Sequence, residues 1–208
     1  MKEEITRIAR QMSDRRMLTG STGNISARAG ETRILVTPTG LAKGRLVPDD
    51  IVTVDMSGRK IDGPHEATSE MPMHLFVYEQ RPDIRACIHT HSPYATAFAL
   101  AGVELPDNVL PETVLLVGRI PLTEYAPAGT EAVPQAILPF IATHNAFLLR
   151  NHGLLTVGRD LEQARNRHET VEHLAQVAYL ARQLGGTRPL PAKELKRLEN
   201  VRRRLDEP

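Results

Sequence analysis

The chain has little of what would mark a secreted or membrane protein. Cysteine occurs once, as Cys87, so no internal disulfide can form and a reducing compartment is expected. No apolar run approaches the ~20 residues that a membrane-spanning helix needs. Residues 1–5 carry charge where a secretory signal would have its apolar core. We therefore expect a cytoplasmic protein with no membrane partner.

Charge is nearly balanced along the chain. The 208 residues contain 26 Lys and Arg against 25 Asp and Glu, a net charge of +1, so nothing favours a nucleic-acid partner. Residues 188–208 form a more basic tail, but acidic residues interrupt it, which is typical of a solvated helix face or an oligomer contact. No linker, internal repeat or low-complexity block divides the chain, so a single domain is expected over residues 1–208.

Hydrophobic periodicity and turn residues predict a mixture of short strands and helices. Helices are expected over residues 3–18, 69–80, 94–100, 132–143 and 161–184. Strands are expected over residues 24–28, 33–37, 51–55, 84–91, 146–150 and 154–157. The Pro- and Gly-rich residues 102–129 are interpreted as loop, strand or both. This mixture predicts an α/β or an α+β layer architecture, and composition does not choose between them.

The most informative feature is a predicted buried strand that ends with His89 and His91, just before Ser92-Pro93. Side chains two apart on a strand share a face, so both imidazoles should point the same way. They would form half of a site for a transition metal such as zinc, which favours imidazole nitrogen. The alternative is two unrelated histidines near a strand end. Cys87 shares their face, and we interpret it as a small buried hydrophobic residue in preference to a ligand.

Further candidates are spread along the chain. Glu70 lies near the start of a predicted helix, His152 ends a predicted strand at an Asn-His-Gly turn, and two glycine-containing turns lie near the N-terminus. Together with the His-X-His strand, these features resemble the class II aldolase/adducin family over residues 5–182. The resemblance implies a single α/β domain whose central, largely antiparallel β-sheet is flanked by helices. It also implies a homotetramer with sites at subunit interfaces.

A catalytic zinc site usually takes three protein ligands and leaves one position for substrate or water. After His89 and His91, His152 is the best third candidate, although considered alone it would be a loop histidine. The resemblance implies that His89, His91, His152 and Glu70 bind one Zn²⁺, or another divalent metal such as Mn²⁺ or Co²⁺. It further implies that Glu70 alternates between ligand and acid/base. Otherwise Glu70 would simply favour its helix N-terminus.

The other histidines are given structural roles. His74 lies four residues after Glu70 on the same predicted helix face, and we interpret it as a helix-face or supporting residue instead of a ligand. The four remaining histidines have no partner at metal-binding spacing: His65, His144, His168 and His173.

Three polar turns are candidate phosphate sites, because glycine turns and helix N-termini present backbone N–H groups and small hydroxyls. Taken singly, each is an ordinary turn or cap, and their match to the phosphate-binding turns of the family makes the set informative. Lys43 is a further candidate for a nearby positive charge. The six candidate phosphate-binding residues are Gly23, Asn24, Thr39, Gly40, Thr68 and Ser69.

The activity that the resemblance implies is retro-aldol cleavage of a sugar phosphate, a ketose 1-phosphate, to dihydroxyacetone phosphate and an aldehyde. In the fuculose-phosphate enzymes of the family, a tyrosine from a neighbouring subunit serves the aldehyde end. The corresponding window here, residues 103–112, has no tyrosine. Glu112 and Tyr125 are the available substitutes as a second acid/base. We therefore expect an aldehyde with a less polar end, as from a deoxy- or methylthio-pentulose 1-phosphate, in preference to fuculose 1-phosphate.

Other chemistries on the same fold remain open. They are dehydration of methylthioribulose 1-phosphate, decarboxylation of 3-oxo-tetronate phosphates and epimerisation of ribulose 5-phosphate. The epimerases carry Asp where Glu70 stands, which disfavours that reading. A non-catalytic scaffold like the adducin head domain would have no reason to keep the three histidines and Glu70 together.

Overall fold

The computed structural model describes residues 1–206; residues 207 and 208, which fall in the predicted domain and its tail, lie outside the described residues. Seven helices are formed: α1 Lys2–Asp14, α2 Met71–Gln80, α3 Pro93–Ala101, α4 Pro111–Leu116, α5 Ala132–Ile137, α6 Leu161–Gln183 and α7 Ala192–Asp206. Seven strands are formed: β1 Asn24–Arg28, β2 Arg33–Val36, β3 Val52–Asp55, β4 Lys60–Asp62, β5 Ala86–Thr90, β6 Ala146–Leu149 and β7 Gly153–Gly158.

The strands form one sheet in the order β4-β3-β2-β1-β5-β7-β6. Every neighbouring pair is antiparallel. The expected fold class, an α/β domain with a largely antiparallel sheet between helices, is confirmed. β5 lies at the centre of the sheet, between β1 and β7, and all five of its residues are buried.

Alternate residues of the strands pack into cores on opposite faces of the sheet, as the two-residue period of a strand requires. On one face, Cys87 and Leu155 join the buried side chains of α2 and α5. On the other face, Ile88 packs with α1 and the start of α6, and Leu154 packs with α3 and the middle of α6. The sheet is therefore the middle of three layers.

Two regions differ from the sequence-based expectation. The predicted loop over residues 102–129 contains helix α4, which begins with Pro111, a residue preorganised for the first helical position. Helix α5 ends at Ile137, six residues before the predicted end. Leu138 still has helical backbone, but the next residue is Pro139, which has no N–H to donate to a carbonyl of the preceding turn. The basic tail forms helix α7, which packs against α4.

No helix within residues 1–206 is both long enough and apolar enough to cross a membrane. The longest, α6, has polar and charged residues throughout its length.

His168 is a structural residue, as expected from its isolation in the sequence. It lies buried on α6 against the sheet, where its Nε2 is 2.7 Å from the Thr90 hydroxyl and its Nδ1 is 3.0 Å from the Thr156 hydroxyl. The Thr156 hydroxyl already donates to the carbonyl of Ala164. Nδ1 therefore donates to Thr156, and Thr90 donates to Nε2, so the two threonines bind the neutral imidazole.

Acid should weaken the fold through His168. Burial lowers the pKa of this imidazole to about 3, below the value of about 6.5 expected in the unfolded chain. The unfolded state therefore takes up the proton first, and stability falls as the pH drops below about 6.5. Between pH 7 and pH 5 the loss through His168 should be about 2 kcal/mol. Urea unfolding of wild type and His168→Gln at both pH values measures this, and equal pH slopes would contradict it.

Candidate metal and active site

Strands β5 and β7 bring three histidines together. His89 lies in β5, His91 follows it by two residues, and His152 directly precedes β7, which pairs antiparallel with β5. The ring centroid of His89 lies 5.1 Å from that of His91 and 4.6 Å from that of His152. The centroids of His91 and His152 are 5.1 Å apart. One ligand nitrogen from each ring lies within 4.8 Å of the others. This arrangement can hold a single metal ion.

Glu70 completes the group from the other side. Its Oε1 is 2.9 Å from Nε2 of His152, and its Oε2 is 3.2 Å from Nε2 of His89. Sequence periodicity places Glu70 in the first turn of α2 with Ser69 as the N-cap. In the structure α2 begins at Met71, and Glu70 itself is the N-cap residue. Its carboxylate points to the histidines and makes no capping bond to the helix backbone.

Gly153 is required by space, because no other residue fits between the two strands. A Cβ atom at this position would lie 2.3 Å from the carbonyl oxygen of Thr90, 3.0 Å from Cδ2 of His91 and 3.2 Å from Cε1 of His89. The sharp turn before it is made by Asn151, which has a φ of 57°, a conformation that asparagine tolerates better than most residues. In the Asn-His-Gly turn, Asn151 therefore provides the unusual backbone conformation, and Gly153 allows the close approach of the strands.

The imidazoles have the protonation that a metal requires. Nδ1 of His89 lies 3.0 Å from the carbonyl of Leu154 and donates to it. Nε2 of His89 therefore carries no proton and has a lone pair available for a metal. Neither this atom nor Nε2 of His91 has a hydrogen-bond partner. Burial lowers the pKa of His89 to about 3 and also lowers that of His91. Neutral imidazoles held by a carbonyl on their second nitrogen are typical metal ligands.

Glu70 is held as a carboxylate. Burial opposes its charge, but nearby His89 and His152 together with hydrogen bonds from His152 and Asn24 outweigh burial and keep its pKa well below the ordinary value. Three imidazole nitrogens and one carboxylate oxygen form a donor set that suits zinc or a similar divalent transition metal. The residues present therefore fit the expected metal.

His74 and Cys87 lie outside the three-histidine cluster. Nε2 of His74 contacts Asn24, and Nδ1 contacts Ser26. Cys87 is fully buried beside the hydroxyl of Tyr78, and burial raises the pKa of its thiol to about 12. A thiol that resists ionisation is a poor metal ligand. Both residues therefore have the supporting roles that were preferred from the sequence.

A cavity of about 220 Å³ opens beside Glu70, His91 and His152. Its residues form three groups: the metal-binding group, a group of glycine and hydroxyl residues, and a short third wall made by Ala128 and Gly129. Of the predicted phosphate-binding residues, the structure brings four to the cavity: Gly23, Thr39, Thr68 and Ser69. Asn24 lies below it, fully buried, with its side chain on Glu70, and Gly40 is next to Thr39 but does not line it.

Lys43 lines the same cavity, but its amino group is already bound. Nζ donates to three backbone carbonyls, those of Ser21, Pro38 and Leu41, at 2.9, 2.9 and 3.0 Å. Burial lowers the pKa of Lys43 to about 8, so it is still mainly protonated at neutral pH. It contributes charge behind the cavity and ties two turns together, and it has no free N–H for an anion. Lys43 therefore places the expected positive charge near the polar turns, without a donor for direct contact with an anion.

The two candidates for a second acid/base lie elsewhere in the chain. Glu112 lines a separate cleft of about 840 Å³ between α1, α3, α4 and α6, together with residues such as Tyr94 and His173. This cleft is larger than the cavity beside the metal-binding group, but His89, His91 and His152 do not line it. Tyr125 is exposed on the loop that leads to Gly129. Within one chain, the structure places neither side chain at the metal-binding group.

Four cavity residues were missed from the sequence: Ser21, Thr22, Ala128 and Gly129. Ser21 and Thr22 directly precede Gly23, so the polar turn itself was a signal for them. Ala128 and Gly129 belong to a loop far away in sequence, and Gly129 approaches the backbone of Ser69 so closely that a Cβ would lie 3.3 Å from its carbonyl oxygen. Only the tertiary fold reveals that contact.

Replacing Gly153 by alanine should disrupt the histidine group. The new Cβ must displace Thr90 and His91, and such overpacking costs about 1–3 kcal/mol. We expect reduced metal content after dialysis against zinc, together with a lower melting temperature. Metal analysis and thermal unfolding measure both. Gly185→Ala is the control for backbone strain alone: its φ is +100°, but its Cβ would meet nothing within 4 Å, so this variant should retain the metal. Full metal content in Gly153→Ala would contradict the prediction.

Comparison with known proteins identifies the family of this chain. Residues 3–179 match the sequence model of the family described as Class II Aldolase and Adducin N-terminal domain. An L-fuculose phosphate aldolase of Methanococcus maripaludis is 37% identical over 181 residues, covering 87% of this chain and 97% of that protein. A 5-deoxy-D-ribulose 1-phosphate aldolase of Bacillus thuringiensis is 32% identical, covering 95% of this chain and 92% of that protein.

Two further similarities bear on the family and on its range of chemistry. A 3-oxo-tetronate 4-phosphate decarboxylase of Escherichia coli is 33% identical, covering 91% of this chain and 89% of that protein. The solved structure of an L-fuculose 1-phosphate aldolase superposes with a TM-score of 0.88 at 30% identity, covering 96% of this chain and 94% of that one. The resemblance noted in the sequence is thereby confirmed: this chain is an enzyme of the lyase class and belongs to the class II aldolase and adducin family.

Proposed function

We propose that this protein is a metal-dependent aldolase that cleaves a ketose 1-phosphate to dihydroxyacetone phosphate and an aldehyde. The observation that carries the proposal is one small cavity with two kinds of wall. One wall is formed by Glu70, His91 and His152, whose group includes the fully buried His89, and the other is formed by glycines and small hydroxyl residues. A substrate with a phosphate at one end and a carbonyl next to it matches both walls at once.

The three histidines and Glu70 would hold the metal, and zinc is the ion that we propose. When bound, such an ion acts as a Lewis acid toward the carbonyl and neighbouring hydroxyl oxygens of a ketose. No lysine Schiff base is then required for the electron-sink role. Lys43 is unsuited to one, since its amino group is buried and bound to three carbonyls.

Glu70 is the residue that we propose to move the proton. It is ionised at neutral pH because His89 and His152 offset its burial, so it can accept a proton from the carbon next to the substrate carbonyl, or return one. Oε2 receives a hydrogen bond from Asn24 at 2.7 Å, which leaves Oε1 as the oxygen free to exchange partners. A positioned carboxylate of this kind supplies about 10²–10⁴-fold in rate.

The phosphate would lie against Gly23, Thr39, Thr68 and Ser69. Backbone N–H groups of glycine turns and of a helix start bind anions without needing a side-chain charge. Thr68 and Ser69 directly precede the N-terminus of α2, whose partial positive charge also favours an anion. Asn24 and Gly40 remain predicted members of this site, although neither lines the cavity in the structure.

The third wall of the cavity supports a substrate with an apolar far end. Ala128 and Gly129 form this wall and offer no polar side chain. A deoxy- or methylthio-pentulose 1-phosphate has only a methyl or thioether group there, whereas fuculose 1-phosphate carries an additional hydroxyl on the carbon before its terminal methyl. The similarity to a 5-deoxy-D-ribulose 1-phosphate aldolase is in keeping with this choice.

A decarboxylase is the second candidate, because a 3-oxo-tetronate 4-phosphate decarboxylase is as similar to this chain as the deoxypentulose aldolase. Both reactions leave negative charge on a carbon next to a carbonyl, so the same Lewis acid serves either. Dehydration of methylthioribulose 1-phosphate and epimerisation of ribulose 5-phosphate are further alternatives on the same fold. The substrate and the second product separate the first two reactions: both release dihydroxyacetone phosphate, the aldolase with an aldehyde from a ketose 1-phosphate and the decarboxylase with CO₂ from a 3-oxo acid.

A ketose 1-phosphate panel tests the proposal. We expect about one zinc per chain and release of dihydroxyacetone phosphate, followed through its reduction by a coupled NADH-dependent dehydrogenase. Glu70→Gln is the control for the chemistry. It should keep the metal on three histidines while turnover falls by about 10²–10⁴-fold. Protein that binds no metal, or metal-loaded protein that forms no dihydroxyacetone phosphate from any substrate, would contradict the aldolase assignment.

We further propose a homotetramer in which Glu112 or Tyr125 of a neighbouring subunit completes each site. One chain places no second acid/base at its metal-binding group. Large apolar side chains are also exposed on α3 and α6, where an interface would cover them: Leu100, Tyr179, Leu180 and Leu184.

Mixing two inactive variants tests this assembly. If Glu112 acts across the interface, Glu112→Gln should lose turnover and retain metal. Co-refolding it with Glu70→Gln should restore about a quarter of wild-type activity, because one site in four then receives both native residues. Mass photometry of wild type should show four subunits. A fully active Glu112→Gln, with Tyr125→Phe inactive, would move the role to Tyr125. Full activity of both variants would contradict the proposal.

A further inference from the structure

A chain of buried hydrogen bonds runs from Tyr78 to the carboxylate of Glu70. The Tyr78 hydroxyl is 2.7 Å from Oγ of Ser26, which is 2.6 Å from Nδ1 of His74. Nε2 of His74 is 2.5 Å from Oδ1 of Asn24, and Nδ2 of Asn24 is 2.7 Å from Oε2 of Glu70. The four residues before Glu70 are at most 2% exposed, so water does not compete for these bonds.

The direction of every bond follows from the charge at one end. A carboxylate can only accept hydrogen bonds, so Asn24 must present its NH₂ group to Glu70 and its carbonyl oxygen to His74. His74 must then donate from Nε2. Burial keeps this imidazole neutral, with its pKa lowered to about 4, so it carries a single proton and Nδ1 must accept. The Ser26 hydroxyl therefore donates to Nδ1 and accepts from the Tyr78 hydroxyl.

We propose that His74, Ser26 and Tyr78 are positioning residues for Glu70, acting through Asn24 as a one-directional chain of donors. None of them reaches the cavity. Their catalytic effect rests on the proposed function, whereas the direction of the chain does not.

The chain gives the two oxygens of Glu70 different roles. Oε2 is anchored, because an Asn24 amide held by His74 cannot rotate without placing its carbonyl oxygen against the carboxylate. Oε1 has only His152 as a partner, so it is the oxygen free to turn toward substrate. Without His74, both orientations of Asn24 become accessible, and the anchor is lost. Buried networks of this kind are sensitive to the loss of any one member.

The first test is the tautomer of His74 in metal-free wild-type protein. Long-range ¹H–¹⁵N NMR distinguishes a protonated from an unprotonated ring nitrogen. We expect His74 at neutral pH to carry its proton on Nε2, with Nδ1 unprotonated. A proton on Nδ1, or on both nitrogens, would overturn the proposal. This measurement needs neither a variant nor activity, so it holds even if the aldolase assignment fails.

The second test uses matched variants of α2. In metal-loaded enzyme, His74→Leu should lower kcat by ~10–100-fold, the usual effect of removing a residue that orients a ligand, and KM should stay within about twofold of wild type. His74→Gln, which keeps a donor toward Asn24, should recover most of that loss. Val77→Ala, on the same helix and in the same core, should lower the melting temperature and leave kcat unchanged.

Two outcomes of the variant test would overturn the proposal. One is wild-type kcat in His74→Leu. The other is a loss of kcat in Val77→Ala that matches the loss in His74→Leu, since this would indicate general destabilisation of α2. If His74→Leu does not fold, Ser26→Ala replaces it: this variant removes only the hydroxyl that donates to Nδ1, and unchanged kcat there would equally contradict the chain.

Discussion

Strand β7 can lie against β5 at the histidines only because Gly153 has no side chain. Atoms of Thr90, His89 and His91 occupy the space where the Cβ of another residue would be. The pairing of these two central strands sets the separation of the imidazoles, and backbone hydrogen bonds across the sheet hold it. Metal ligands need placement to within a few tenths of an ångström. A buried strand pair is a more rigid support for such a site than a loop.

Charge follows from this packing. Burial holds the imidazoles of His89 and His91 neutral, and the carboxylate of Glu70 stays ionised with hydrogen bonds from His152 and Asn24. With a divalent cation bound to this carboxylate and to three neutral imidazoles, the group would carry one positive charge. Lys43 adds a second positive charge behind the polar turns. The negatively charged phosphate of a substrate would thus lie between two positively charged centres, the bound cation and Lys43.

Parts of this arrangement are local and were predictable. The two-residue period of a buried strand is sufficient to place His89 and His91 on one face, and turn residues located most strands. Glu70 and His152 carry no local signal of metal binding, and only the family resemblance selected them. The fate of Lys43 was not predictable, since its three carbonyl partners come from turns that only the folded chain brings together. The same holds for Gly129, which reaches the cavity through its contact with Ser69.

Asn24 makes contacts that its place in a glycine turn does not predict. The glycine turn predicted it as a phosphate-binding residue, and it does lie beside that turn. Its amide, however, is bound by Glu70 on one side and by His74 on the other. Of its two N–H donors only one is used by Glu70, so a substrate phosphate has at most the other. Asn24 therefore joins the glycine turn to the carboxylate of Glu70 through one buried side chain; under the proposed function, this side chain would connect substrate position with proton transfer.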